Sequence, residues 1–161
     1  MTRLILWDVD GTLVHAGGAA TSAFDVAVGR VIGRPAGEHG VRMSGKTDPE
    51  IALEILAFAQ VAEADAHRHL PLVLEHLENE LAVAVHHLQE HGRVMPGVTE
   101  LLARLHDAPD VVSSVLTGNI EANGRLKVAA FGLDGFLDLD VGAYGSDTTT
   151  ATASSPSRGP R

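Results

Sequence analysis

The chain has 161 residues, 12 basic and 21 acidic side chains, a formal charge of −9 and no cysteine. This length suits one domain with a sizeable core and leaves room for a small insertion; the missing cysteines exclude disulfides and thiolate metal sites, and the acidic balance argues against a general nucleic-acid surface. No apolar run reaches the roughly 18 residues that span a bilayer, and Met1 to Leu6 lacks the long apolar stretch of a signal peptide, so a cytoplasmic protein without a membrane partner is expected.

In chain order, Leu4-Ile5-Leu6-Trp7 reads as a short buried strand. Phe24, Val28, Val31 and Ile32 share one face of a helix ending near Gly33. Asp48-Pro49-Glu50 marks another helix start, with an N-cap acid, proline at the first helical position and a further acid in the first turn. Ile51, Ile55 and Phe58 follow on one face. Leu70, Leu74, Leu77, Leu81, Val85 and Leu88 recur at helical spacing, predicting a long amphipathic helix from near Pro71 to Gly92. After the Met95-Pro96-Gly97 turn, Leu101, Leu102 and Leu105 begin a further helix. Val111 to Leu116 reads as a second strand, ending at Thr117-Gly118-Asn119. A helix from Asn119 to about Phe131 is closed by Gly132. Leu137 to Tyr144 alternates Leu137, Leu139 and Val141 against Asp138 and Asp140, predicting a third strand. Residues 148–161, rich in Thr, Ser and Pro, are expected to be a disordered tail. The order predicts an α/β core with an all-helical insertion after the first strand.

Asp8 and Asp10 lie two apart at the C-terminal end of the first strand, where open α/β sheets bind ligands. Gly11 lets the chain turn and brings backbone N–H groups close to a ligand. Two adjacent carboxylates repel, so the pair favours a bound cation. One carboxylate can attack a phosphoryl group while the other serves as general acid and base. At the second strand end, the Thr117 hydroxyl beside a helix N-terminus suits phosphate; Asn119 as a plain N-cap is the alternative.

Asp8-Val9-Asp10-Gly11-Thr12-Leu13 closely resembles the first motif of the haloacid dehalogenase superfamily, in its phosphoglycolate-phosphatase-like branch. The resemblance implies a Rossmannoid parallel sheet with an inserted helical, C1-type cap. It implies a core at residues 1–15 and 93–147 and a cap at residues 16–92. Asp8 would be nucleophile and Mg2+ ligand. Asp10 would be general acid/base and, through its backbone carbonyl, would also face the metal. Thr117, Gly118 and Asn119 resemble the second motif and would receive the phosphoryl group of a small phosphorylated metabolite. Asp10 points to phosphoryl transfer, because the dehalogenase branch lacks this second acid.

Gly40 to Thr47 also matches the P-loop pattern letter for letter, the rival reading being a nucleotide-binding protein. That pattern needs a buried strand before it, and Gly33 to His39 is no strand. In related phosphatases a Gly-Lys-Thr-Asp segment sits in the cap, so the resemblance sends Lys46 and Thr47 towards substrate; a solvated loop is the alternative. Of the nine histidines, His67, His69, His76, His86, His87 and His91 read as a solvated helix face, His15 is given no role, and Lys127 reads as exposed. The resemblance covers residues 3–147. The family's later basic residue and acidic cluster have no counterpart, so an incomplete sheet, a truncated chain and doubtful or absent catalysis are expected.

Overall fold

The computed structural model describes residues 1–147; the tail expected at 148–161 lies outside the described residues. Arg3–Trp7, apolar from Leu4 onward, extends as strand β1. Two-residue strand β2, Val14–His15, follows the turn that carries the two acids. Four helices come next: α1 (Ala19–Ile32), α2 (Asp48–Phe58), α3 (Glu63–Val83) and α4 (Val85–His91). Strand β3, Arg93–Val94, pairs antiparallel with β2, matching Val14 with Val94 and His15 with Arg93. The helices are therefore an insertion whose two ends leave through one short ribbon. Gly17 and Gly92 make that exit possible: a Cβ on Gly17 would stand 2.6 Å from the carbonyl carbon of His91, and one on Gly92 2.6 Å from the carbonyl oxygen of His15.

Helix α5 (Val98–His106) then leads to strand β4 (Val111–Val115), and α6 (Glu121–Ala130) follows β4. β4 lies parallel to β1, in register from Arg3 opposite Val111 to Trp7 opposite Val115. One apolar cluster, including Phe24, Val28, Ile55, Leu56, Val73 and Leu77, fills the insertion. A second, including Val9, Leu13, Leu102, Val115, Val128 and Leu133, lies under the strands. Each fully buried aliphatic side chain of this kind is worth about 1.5–3 kcal/mol of transfer free energy.

Four expectations change. Leu137 to Tyr144 is not a strand: it forms a 3-10 turn at Leu139–Val141, where the Asp138 side chain accepts from the Asp140 N–H. The segment still runs beside β4, since Asp138 N–H donates to Ser113 O and Ala143 N–H to Val115 O, both within 2.9 Å. The long helix begins at Glu63 and takes Pro71 into its interior, then breaks at Ala84 before α4. The N-cap of α2 is Thr47, whose hydroxyl accepts from Glu50 N–H while the Glu50 carboxylate accepts from Thr47 N–H; Asp48 is thereby released from capping its own helix. Finally, β1 is not buried: Leu4 is 54% and Leu6 42% exposed. β4 is its only strand neighbour among the described residues, so one edge and part of one face stay open.

Candidate active site

Both acids emerge from a turn pinned to its own strand. Leu13 and Val14 N–H each donate to Val9 O at 3.0 Å, and Gly11 N–H donates to Val14 O at 2.8 Å with Gly11 at φ 83°. Val9 and Leu13 are wholly buried, which leaves Asp8 and Asp10 facing the cavity. Asp8 accepts from Val9 N–H at 2.8 Å. Burial pushes its carboxyl above the ordinary carboxylate range and the neighbouring Asp10 charge adds to this; the Val9 N–H and Lys127 act against it.

Thr117, Asn119 and Lys127 form one buried polar network, each less than 8% exposed. Asn119 Nδ2 donates to Thr117 Oγ1 at 2.6 Å and to Asp10 Oδ2 at 2.7 Å. Lys127 Nζ donates to both Asp10 oxygens, at 2.8 and 2.7 Å, and to Asn119 Oδ1 at 2.6 Å. The two strand ends are thus joined through side chains. The expectation that Lys127 is exposed is overturned: its side chain is 4% exposed and supplies a cation inside the site. Asn123 and Lys127 lie four apart on one face of α6, in step with Asn119 just before the helix, and that spacing was the available signal.

Asp48, expected only to cap its own helix, also belongs to the site. It is 6% exposed and its Oδ2 accepts from Ile120 N–H at 2.8 Å. Burial, opposed mainly by that N–H, raises its pKa from 3.8 to about 6. A carboxyl with a raised folded-state pKa binds its proton more tightly when folded. Its contribution to stability is therefore largest at low pH and falls as pH rises through 6, by about 3 kcal/mol in all. Urea unfolding of the wild type and Asp48→Asn between about pH 4 and pH 7 should show the wild type gaining on the variant as pH falls; a constant difference would refute this.

Lys46 and Thr47 line the same cavity, but both are engaged. Lys46 Nζ lies 2.5 Å from Glu54 Oε2, and the Thr47 hydroxyl caps α2. No regular element precedes them between Arg34 and Met43, so the strand required by a P-loop is missing among the described residues.

These groups surround a cavity of about 780 Å³. Phe24, Met43 and Ile51 contribute an apolar wall on the side of the insertion. The donors suit a hard divalent cation: Asp8 offers carboxylate oxygens and Asp10, whose carboxylate is taken by Lys127, would add its backbone carbonyl, and a cation would relieve the burden on the Asp8 carboxyl. Among the described residues no group of three or more His, Asp or Glu is arranged to hold a metal. No described helix is long and apolar enough to cross a membrane.

Comparison with known proteins adds a lineage. Similar solved structures include a predicted phosphoglycolate phosphatase from Haemophilus somnus, 20% identical at TM-score 0.62, with 89% of this chain and 63% of that one covered. A predicted phosphatase from Clostridium acetobutylicum is 13% identical at TM-score 0.59, covering 91% and 63%. Protein Tyrosine Kinase A of Mycobacterium tuberculosis is 21% identical at TM-score 0.53, covering 99% and 63%. At such identities the likeness is one of fold, and the chain spans less than two-thirds of the length of each. No curated protein matches the sequence. The family model for haloacid dehalogenase-like hydrolases matches residues 5–157, nearly the whole chain. With an α/β fold shared with such structures, the chain belongs to the haloacid dehalogenase-like hydrolase family.

Proposed function

We propose that this protein is a magnesium-dependent phosphomonoester hydrolase working through an aspartyl-phosphate on Asp8. One observation carries the reading: Asp8, Asp10, Thr117 and Lys127 meet around one cavity at the ends of two parallel strands. Residues 1–15 and 93–147 would be the core and residues 16–92 the cap, with the cavity between them.

In the first step an Asp8 carboxylate oxygen attacks phosphorus and the ester oxygen departs, taking a proton from Asp10. In the second, Asp10 removes a proton from water, whose oxygen attacks phosphorus and releases phosphate, restoring the Asp8 carboxylate. Thr117, Gly118 and Asn119 would receive the phosphoryl oxygens near the start of α6. Lys127 would hold Asp10 in place and offset the developing negative charge. Asp8 and Asp10 would hold Mg2+, which when bound neutralises phosphoryl charge. The substrate would be a small phosphorylated metabolite handled in the cytoplasm, its body resting against Phe24, Met43 and Ile51 while Lys46 and Thr47 border its entry.

The test is phosphate release from a generic aryl phosphate, with Mg2+ and after chelation. Release that needs Mg2+ is expected; none under any condition sinks the proposal. A second reading, a family member without catalysis, draws on the absence of a larger carboxylate cluster among the described residues, and a null assay would favour it.

A further inference from the structure

Asp48 belongs to the first turn of α2, in the helical insertion, yet both of its bonding groups are spent on the other cluster of the fold. Its N–H donates to Gly118 O at 2.7 Å. Its carboxylate accepts from Ile120 N–H at 2.8 Å, across 72 residues of chain. Helix α6 has no side-chain cap of its own, so Asp48 supplies one from outside. Asn123, one turn along α6, acts against the burial that raises the Asp48 pKa.

The packing around this contact leaves no slack. A Cβ on Gly118 would sit 2.3 Å from Lys46 O, and a Cβ on Gly145 would sit 2.1 Å from Gly118 O. Gly145 N–H donates to Asn119 O at 2.8 Å. The Thr117–Ile120 turn is therefore clamped between backbone 46–48 on one side and Gly145 on the other. Only glycines permit such an approach.

We propose that Asp48 is a positioning residue: it fixes the Thr117–Asn119 turn from within the insertion, so that the turn is set for phosphate only while the insertion is docked. The carboxylate touches no reacting atom. It acts by holding Ile120 N–H at one end of the turn while the Asp48 N–H holds Gly118 O, and with them the hydroxyl of Thr117 and the amide of Asn119. This rests on Thr117 being the phosphate-receiving residue.

The test compares wild type, Asp48→Ala and Asp48→Asn by hydrogen exchange resolved at the Ile120 amide and by titration with inorganic phosphate in the presence of Mg2+. Asp48→Ala should speed exchange at Ile120 and weaken phosphate binding, each on the order of tenfold, the scale of one charge-assisted hydrogen bond. Exchange in the second half of α6, at Leu126 and Val128, should not change. Asp48→Asn keeps an acceptor oxygen but loses its charge, and should restore only part of both effects. Unchanged exchange at Ile120 overturns the proposal. Faster exchange with phosphate affinity intact also overturns it, leaving Asp48 as a helix cap only. If Asp48→Ala does not fold, Asp48→Asn decides: its exchange and affinity should still fall between wild type and none, and wild-type values for both overturn the proposal. Wild-type protein that binds no phosphate would instead sink the reading of Thr117 itself.

Discussion

Asp8→Asn should reduce phosphate release by roughly 10⁴-fold or more, the scale of removing a nucleophile on which a covalent route depends. The change is close to isosteric. The amide oxygen can still accept from Val9 N–H, now at 2.8 Å, so the turn should keep its shape. What disappears is the charged oxygen that attacks phosphorus. The fold should not suffer. Burial and the Asp10 charge raise the Asp8 pKa, so at neutral pH its ionised form is a burden that folding must overcome. A neutral amide removes that burden, and the variant should melt no lower than the wild type at pH 7. Scanning calorimetry beside a phosphate-release assay reads both effects. Turnover within tenfold of wild type would end the aspartyl-phosphate mechanism.

Lys127→Met keeps an unbranched chain of similar volume and deletes the ammonium. Three hydrogen bonds vanish, two to Asp10 and one to Asn119. Removing one partner of a fully buried ion pair costs about 3–5 kcal/mol. Here the stranded partner is not fully buried: the Asp10 side chain is 45% exposed and regains water. The stability loss should accordingly be nearer 1–3 kcal/mol. Turnover should fall about 10²- to 10³-fold, the range for losing one preorganised electrostatic group. Adding Asp10→Asn to Lys127→Met should recover stability without recovering turnover, because the unpaired charge leaves with the base. Urea unfolding of the four species of this cycle measures the coupling. Simple additivity would show that the Lys127–Asp10 contact is incidental.

Much of the site was legible because it sits where strand geometry puts it. Asp8, Asp10 and Thr117 follow apolar runs directly, and glycine marks each turn. The spacing of Lys127 from Asn119 and Asn123 marked a polar face but not its role, since the carboxylate that defines it lies 117 positions earlier. The alternation at Leu137–Val141 pointed to a strand, but a local bond from Asp140 N–H to the Asp138 carboxylate turns the chain instead. Asp48 was read as its own helix's cap although Thr47 and Glu50 stand at capping-box spacing, a pattern that frees the acid between them. β1 was read as buried because its composition is apolar; how far a strand is covered depends on its neighbours, which no short run reveals.

The ribbon of β2 and β3 has a kinetic consequence. β1 and β4 pair residues more than a hundred positions apart, a slow closure for an unstructured chain. The largest apolar cluster of the helical insertion falls within Ala23 to Leu77, so that unit can collapse early. Once it has, matching Val14 with Val94 leaves only two short spans to bridge before β1 meets β4. The aspartates that define the chemistry should therefore be among the last groups to acquire their neighbours, whether the chain refolds from urea or leaves the ribosome.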